Sequence, residues 1–223
     1  MLCSTNRSVT TQVDYSAMES RRIARFVWNT LVKYAICQHA HDQARQMVER
    51  ISTMEIMKIL TVCLGNICRS PAAESVLIHE LEKAGINAEV ASAGTSDWHI
   101  GNGAHELTQK VGTERGYEFV SVADQITATH IDEADLVLAM DDSNLSNILA
   151  LTENAEQRAK IVRFGAFASD VDEAGIANVP DPYGHPEDAY VSMYDQIEDA
   201  ARGLVSAIQN DSLDTVLQQY GGQ

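Results

Sequence analysis

The stretch KILTVCLGNICRSPAAE, Lys58 to Glu74, constrains the fold more than any other part of this chain. Its first half is a β-branched, apolar run that suits a strand buried on both faces. Its second half opens a helix, with Pro71 placed in the first turn, where a missing N–H costs nothing. Between them lie Cys63, Gly65, Asn66, Cys68, Arg69 and Ser70, residues a hydrophobic core has no reason to hold. A buried strand feeding a helix through a polar turn predicts an α/β fold with its ligand site at that strand's carboxyl end.

The rest of the chain from residue 57 repeats this punctuation. MKILTVCL reads as a strand and SPAAESVLIHELEKAG as a helix ending at Gly85, followed by AEVASAG as a second strand. HELTQKVGTERG is a helix, ADLVLAMD a strand, SNLSNILAL a helix and AKIVRFGAF a strand. The turn-rich VPDPYGHPED precedes a helical pattern from about Glu187 to Ile208. Such alternation predicts right-handed crossovers and a parallel sheet covered by helices on both faces.

Residues 1–56 are a different kind of sequence. They hold seven of the chain's 16 Lys and Arg but only five of its 32 Asp and Glu, so the net charge of −16 is concentrated in residues 57–223. Apolar residues from Ser16 to about Ile51 fall at helical spacing, with Arg21, Arg22 and Arg25 near the start. We expect an N-terminal extension, helical or partly disordered, that packs loosely or serves no role; a membrane-surface or partner-binding helix is the alternative. Met54 and Met57 could each start the following domain, expected over 57–223.

Charge and pattern exclude several classes. An acidic domain offers no basic face for a nucleic-acid backbone. No run of about 18 uncharged apolar residues supports a transmembrane helix, and charges interrupt any signal-peptide core. Four cysteines, Cys3, Cys37, Cys63 and Cys68, are too few and too irregular for a secreted disulfide framework, so a cytoplasmic location is expected.

The turn itself has a chemistry. Leu64, Gly65, Asn66, Ile67, Cys68, Arg69 and Ser70 wrap around a helix N-terminus, where free N–H groups and the helix dipole favour an anion. Cys63 stands at the mouth of that nest, and the same field favours its thiolate as a nucleophile. Arg69 can clamp two oxygens of a phosphate, Ser70 can donate to the sulfur, Asn66 can tie the loop, and Gly65 allows close approach. Cysteine, five residues and arginine form a weak pattern alone and a strong one between a strand and a helix.

VCLGNICRSPAAE resembles the signature of the low-molecular-weight protein tyrosine phosphatases, and the resemblance runs from Met57 to about Ile208. SAGTSDWH, MDDSNL and DPYG resemble further blocks of that family. The resemblance implies a four-stranded parallel sheet, a cysteinyl-phosphate intermediate, and Asp181 as general acid and then base. It implies no cofactor and no metal, since Arg69 and the loop amides supply the charge stabilisation. Trp98 and Tyr183 match the walls of a slot for a phenyl ring. Ile67 accompanies tyrosine specificity, where related arginine phosphatases carry threonine. Phosphotyrosine proteins, bacterial tyrosine kinases among them, are the implied partners; oligomeric state is not addressed.

Other readings stand beside these. Cys63 could be a small buried hydrophobe, Asp181 a plain turn residue, and Trp98 and Tyr183 ordinary packing. Cys68 is either a redox partner of Cys63 or a packed thiol. Asp141 and Asp142 are expected to cap a helix starting near Asn144, and His99, His105 and His185 have no partner legible in sequence. Ser121 and Asp124 replace a His and an Arg usual in the family. An arsenate reductase would need further downstream cysteines, and none follows Cys68; a phosphopeptide-binding module is the remaining alternative of another class.

Overall fold

The computed structural model of the protein describes residues 56–171 and 175–222. The amphipathic pattern, Cys3 and Cys37 of the N-terminal extension lie outside them. Four strands, β1 (Met57–Cys63), β2 (Ala88–Gly94), β3 (Leu136–Ala139) and β4 (Ile161–Arg163), form one parallel sheet in the order β2-β1-β3-β4. The polar turn leads from β1 directly into α1 (Arg69–Ala84), which closes on Gly85 in the left-handed conformation, φ 71°, as the sequence predicts. The remaining helices are α2 (Glu106–Glu114), α3 (Ala128–Glu133), α4 (Asp142–Leu149), α5 (Ala155–Ala159), α6 (Glu187–Gln209) and α7 (Leu213–Tyr220).

Alternation along the strands divides the core in two. Ile59, Leu136, Leu138 and Val162 point to one face, where Val76, Leu77 and Leu81 of α1 and Tyr190, Tyr194, Ile197 and Leu204 of α6 cover them. Leu60, Val62, Val137, Ala139 and Ile161 point to the other, against Ile131 of α3 and Leu145 and Ile148 of α4. Each fully buried aliphatic side chain stabilises the fold by about 1.5–3 kcal/mol, so the sheet is pinned from both sides.

Two strands are shorter than the sequence suggests. β3 occupies only the middle of ADLVLAMD, and β4 stops at Arg163, after which Phe164–Phe167 turn in a 3-10 helix. At Gly165, inside that turn, the chain packs closely: a Cβ would fall 2.0 Å from the carbonyl oxygen of Ala177. Three helices lie outside the sequence reading: α3 and α5 are too short to show an apolar period, whereas α7 does place Leu213, Val216, Leu217 and Tyr220 at helical spacing and packs them against the core. Two of them are set by caps, with Thr127 and His130 making a capping box for α3 and Asn154 accepting from the Gln157 N–H for α5. No helix among the described residues is long and apolar enough to cross a membrane.

Candidate active site

The site sits where β1 ends, at the centre of the sheet. In register Cys63 pairs with Gly94, and that pairing lets the loop fold back over β2: a Cβ on Gly94 would lie 2.9 Å from the Leu64 carbonyl oxygen and 3.1 Å from the Asn66 nitrogen. Backbone bonds from Thr95 N–H to the Cys63 carbonyl and from Ser96 N–H to the Leu64 carbonyl, both 2.9 Å, hold the loop's first half. The His105 N–H donates to the Ile67 carbonyl at 2.7 Å and holds the second half. Asn66 lies between them at φ 55°, a left-handed conformation that Asn tolerates better than most residues.

Hydrogen bonds converge on the sulfur with a defined polarity. Ser92 and Ser121 both donate to Oε2 of the buried Glu74 at 2.6 Å. Having given its proton away, Ser92 Oγ accepts from Asn66 Nδ2 at 2.9 Å, and the same amide nitrogen donates to Ser70 Oγ at 2.9 Å. Ser70 therefore has one proton left, directed at Cys63 Sγ (3.0 Å) or the Ala93 carbonyl (3.2 Å), and a negative sulfur is the stronger acceptor. The Asn66 N–H also reaches Cys63 Sγ, at 3.2 Å. Asn66 Oδ1 accepts from the Asp124 N–H at 2.9 Å, which fixes the amide's orientation.

Ser121 thus joins the supporting network through Glu74. Asp124 serves through its backbone, while its carboxylate takes the Gln125 N–H at 2.8 Å and lies 3.8 Å from His130 Nε2.

Arg69 opens α1 with its side chain 4% exposed and two carboxylates on its guanidinium. Nη2 donates to Asp181 Oδ2 at 2.7 Å and Nη1 to Asp141 Oδ2. Asp141 also caps α4 as expected, accepting from the Asn144 N–H at 2.7 Å; its second role, as counter-ion to Arg69, had no sequence signal of its own. Arg69 Nε is buried without a hydrogen-bond partner, a donor that a phosphate oxygen would satisfy. Asp181 remains a turn residue too, since its Oδ1 accepts from the Tyr183 N–H at 3.1 Å.

The cleft above the sulfur holds about 400 Å³ including its open mouth. Cys63, Leu64, Gly65, Ile67, Cys68 and Arg69 form its floor, and Trp98, His99, Asp181 and Tyr183 its walls. Trp98 is 71% exposed and Tyr183 57%, so neither is core packing. Cys68 is buried beside the cleft, and burial pushes its thiol up to about 11, with the neighbouring Thr108 hydroxyl opposing the rise and the nearby Cys63 adding to it. Cys63 and Cys68 are both free, with no disulfide between them. Asn66 and Ser70 support the sulfur from behind rather than lining the cleft.

His99 and His105 do have partners. His99 lies over Gly65, where a Cβ would meet its ring at 2.9 Å, and its ring is 6.3 Å from that of Tyr183. His105 caps α2 and touches both Tyr183 and Tyr190. Glu74 and Ser92 were also missed, because their roles depend on β2 lying beside β1. Among the described residues no group of three or more His, Cys, Asp or Glu is placed to hold a metal ion.

A cysteine at a strand end, separated by five residues from an arginine that opens the following helix, with a carboxylic acid across the cleft, defines a thiol phosphatase site on a parallel α/β sheet. Residues 58–214 match the family profile of the low molecular weight phosphotyrosine protein phosphatases, and the chain belongs to that family. It is 36% identical over 156 residues to the low molecular weight phosphotyrosine protein phosphatase of Schizosaccharomyces pombe, covering 68% of this chain and 97% of that one. The crystal structure of a protein tyrosine phosphatase from Entamoeba histolytica superposes with a TM-score of 0.66 at 33% identity, over 70% of this chain and 99% of the other. An arginine phosphatase from Geobacillus stearothermophilus superposes with a TM-score of 0.61 at 30% identity, over 71% and 96%.

Proposed function

We propose that the protein hydrolyses phosphotyrosine in proteins through a cysteinyl-phosphate intermediate, with Cys63, Arg69 and Asp181 in the catalytic roles. The observation that carries this is the convergence on one cleft of a sulfur receiving two hydrogen bonds, at 3.0 and 3.2 Å, and a guanidinium already bound to the acid at 2.7 Å. In the first step Cys63 Sγ forms a bond to phosphorus as the bond from phosphorus to the tyrosine oxygen breaks, and Asp181 gives its proton to that oxygen. In the second, Asp181 as carboxylate takes a proton from water, whose oxygen attacks phosphorus and releases the sulfur as thiolate. Arg69 and the amides from Leu64 to Ser70 hold the equatorial oxygens throughout. Leaving-group protonation requires Asp181 to exchange Arg69 for the substrate's bridging oxygen, a movement its side-chain exposure of 43% permits.

Trp98 and Tyr183 are assigned to flank the phenyl ring. Ile67, an apolar side chain lining the cleft, favours an aryl group over a guanidino group, which would look for polar partners there. An arginine phosphatase is the second reading, motivated by the relative of that activity in Geobacillus. Residues 57–223 are assigned as the catalytic domain and 1–56 as an extension outside it. A cytoplasmic setting and phosphotyrosine proteins such as bacterial tyrosine kinases fit this chemistry.

The test is turnover of p-nitrophenyl phosphate, phosphotyrosine peptide, phosphoarginine and arsenate side by side, with chelator present. Phosphotyrosine should lead, Cys63→Ser should abolish turnover while retaining phosphate binding, and Asp181→Ala should slow phosphotyrosine far more than p-nitrophenyl phosphate. Undiminished activity of Cys63→Ser, or equal losses on both esters in Asp181→Ala, would refute the assigned roles. Phosphate binding with no turnover of any ester would favour a phosphopeptide-binding module.

A further inference from the structure

We propose that His105 is a positioning residue for the aryl wall of the cleft, fixing Tyr183 against the phosphate loop. The inference rests on the phosphotyrosine reading above and adds a residue to it.

The imidazole is fixed on several sides. One face stacks on the ring of Tyr190, with centroids 5.5 Å apart and planes inclined by 14°. Tyr190 is fully buried, so the platform cannot tilt. Nδ1 accepts from the Leu107 N–H at 3.3 Å as the cap of α2. The Tyr190 hydroxyl lies 3.1 Å from the same nitrogen.

The ring so held meets Tyr183 edge to face, with centroids 5.7 Å apart and planes at 75°, a favourable aromatic geometry. Tyr183 is more than half exposed, and its aromatic neighbours are the two imidazoles of His105 and His99. Both are tied to the phosphate loop, His99 by lying over Gly65 and His105 by its N–H on the Ile67 carbonyl at 2.7 Å. The width of the slot is therefore set by the loop that binds the phosphate. An unbraced Tyr183 would have to be ordered at each binding event, and that lost side-chain freedom would weaken binding of the aryl group.

Capping and bracing can be separated by substitution. His105→Asn keeps an acceptor suited to an N-cap but loses the ring, whereas His105→Phe keeps a ring but loses the acceptor. His105→Asn should retain the parent Tm within a few degrees and raise KM for p-nitrophenyl phosphate and phosphotyrosine peptide about threefold to tenfold. The inhibition constant of inorganic phosphate, which has no ring, should stay within about twofold. His105→Phe should lower Tm with a smaller change in KM. In a Tyr183→Ala background His105→Asn should raise KM no further. A KM unchanged in His105→Asn, a phosphate constant that rises in step with KM, or additive effects with Tyr183→Ala would each overturn the proposal. Binding of benzylphosphonate against inorganic phosphate provides the same comparison without turnover. A parent protein that binds both but hydrolyses neither ester would refute the function, while selective loss of benzylphosphonate in His105→Asn would still support the wall.

Discussion

Asn66 offers the sharpest test of how the site is held. Its side chain makes three hydrogen bonds of 2.9 Å, to Ser70, Ser92 and the Asp124 N–H, and its backbone sits at φ 55° with the residue 2% exposed. Three hydrogen bonds at about 1 kcal/mol each, and roughly another 1 kcal/mol for a Cβ residue without a local side-chain bond in the left-handed region, sum to about 4 kcal/mol for Asn66→Ala. In a chain of this size that lowers Tm by about 8–16 °C. Misplacing the thiolate by an ångström should lower kcat by about 10²-fold. Asn66→Gly restores the backbone but not the bonds, so its stability should lie above that of Asn66→Ala by about 1 kcal/mol while kcat falls similarly. Thermal unfolding and p-nitrophenyl phosphate kinetics on both variants decide the matter. A Tm for Asn66→Ala within 2–3 °C of the parent, about 1 kcal/mol by the same scale, would refute the claim that the network carries the loop.

Other perturbations address single contacts. Gly94→Ala pushes a methyl group against the backbone of Leu64 and Asn66 at 2.9 and 3.1 Å, so unfolding should show a loss of about 1–3 kcal/mol and assays a kcat reduced at least about tenfold. Cys68, raised by burial from 9.0 to about 11, should resist iodoacetamide at pH 7.5 in a Cys63→Ser background and become reactive as pH approaches 11, followed by peptide mass spectrometry. Since the folded value lies above the unfolded one, its thiol's contribution to stability is intact below pH 9 and is lost as pH rises towards 11, a slope that Cys68→Ala should reduce in denaturant titrations. Ile67→Thr should shift the ratio of phosphoarginine to phosphotyrosine turnover upward, measured on both substrates in parallel.

Much of this architecture was legible because it is local. The strand, loop and helix from Met57 to Ala84 declare themselves by a period change and by Pro71 and Gly85, and the chemistry of Cys63, Arg69 and Ser70 follows from one short segment. What sequence could not supply is lateral. Glu74 and Ser92 matter because β2 lies beside β1, and Asp141 because β3 does; neither adjacency has a local signal. His99 and His105 looked solitary because their partners lie roughly eighty residues downstream, Tyr183 in the turn before α6 and Tyr190 on α6. The packing of the Ala177 backbone on Gly165, just after the shortened β4, is again a contact distant in sequence.

Arg69 between Asp141 and Asp181 also bears on how the protein empties itself after each cycle. With its own acid bound to the guanidinium, the resting cleft already contains an anion, so an incoming phosphoryl group exchanges with a resident carboxylate instead of meeting a bare cation. The net gain from binding is then much smaller than the direct attraction, for inorganic phosphate as much as for substrate. On the proposed mechanism, Asp181 returning to Arg69 would compete with product phosphate for the guanidinium and so favour its release.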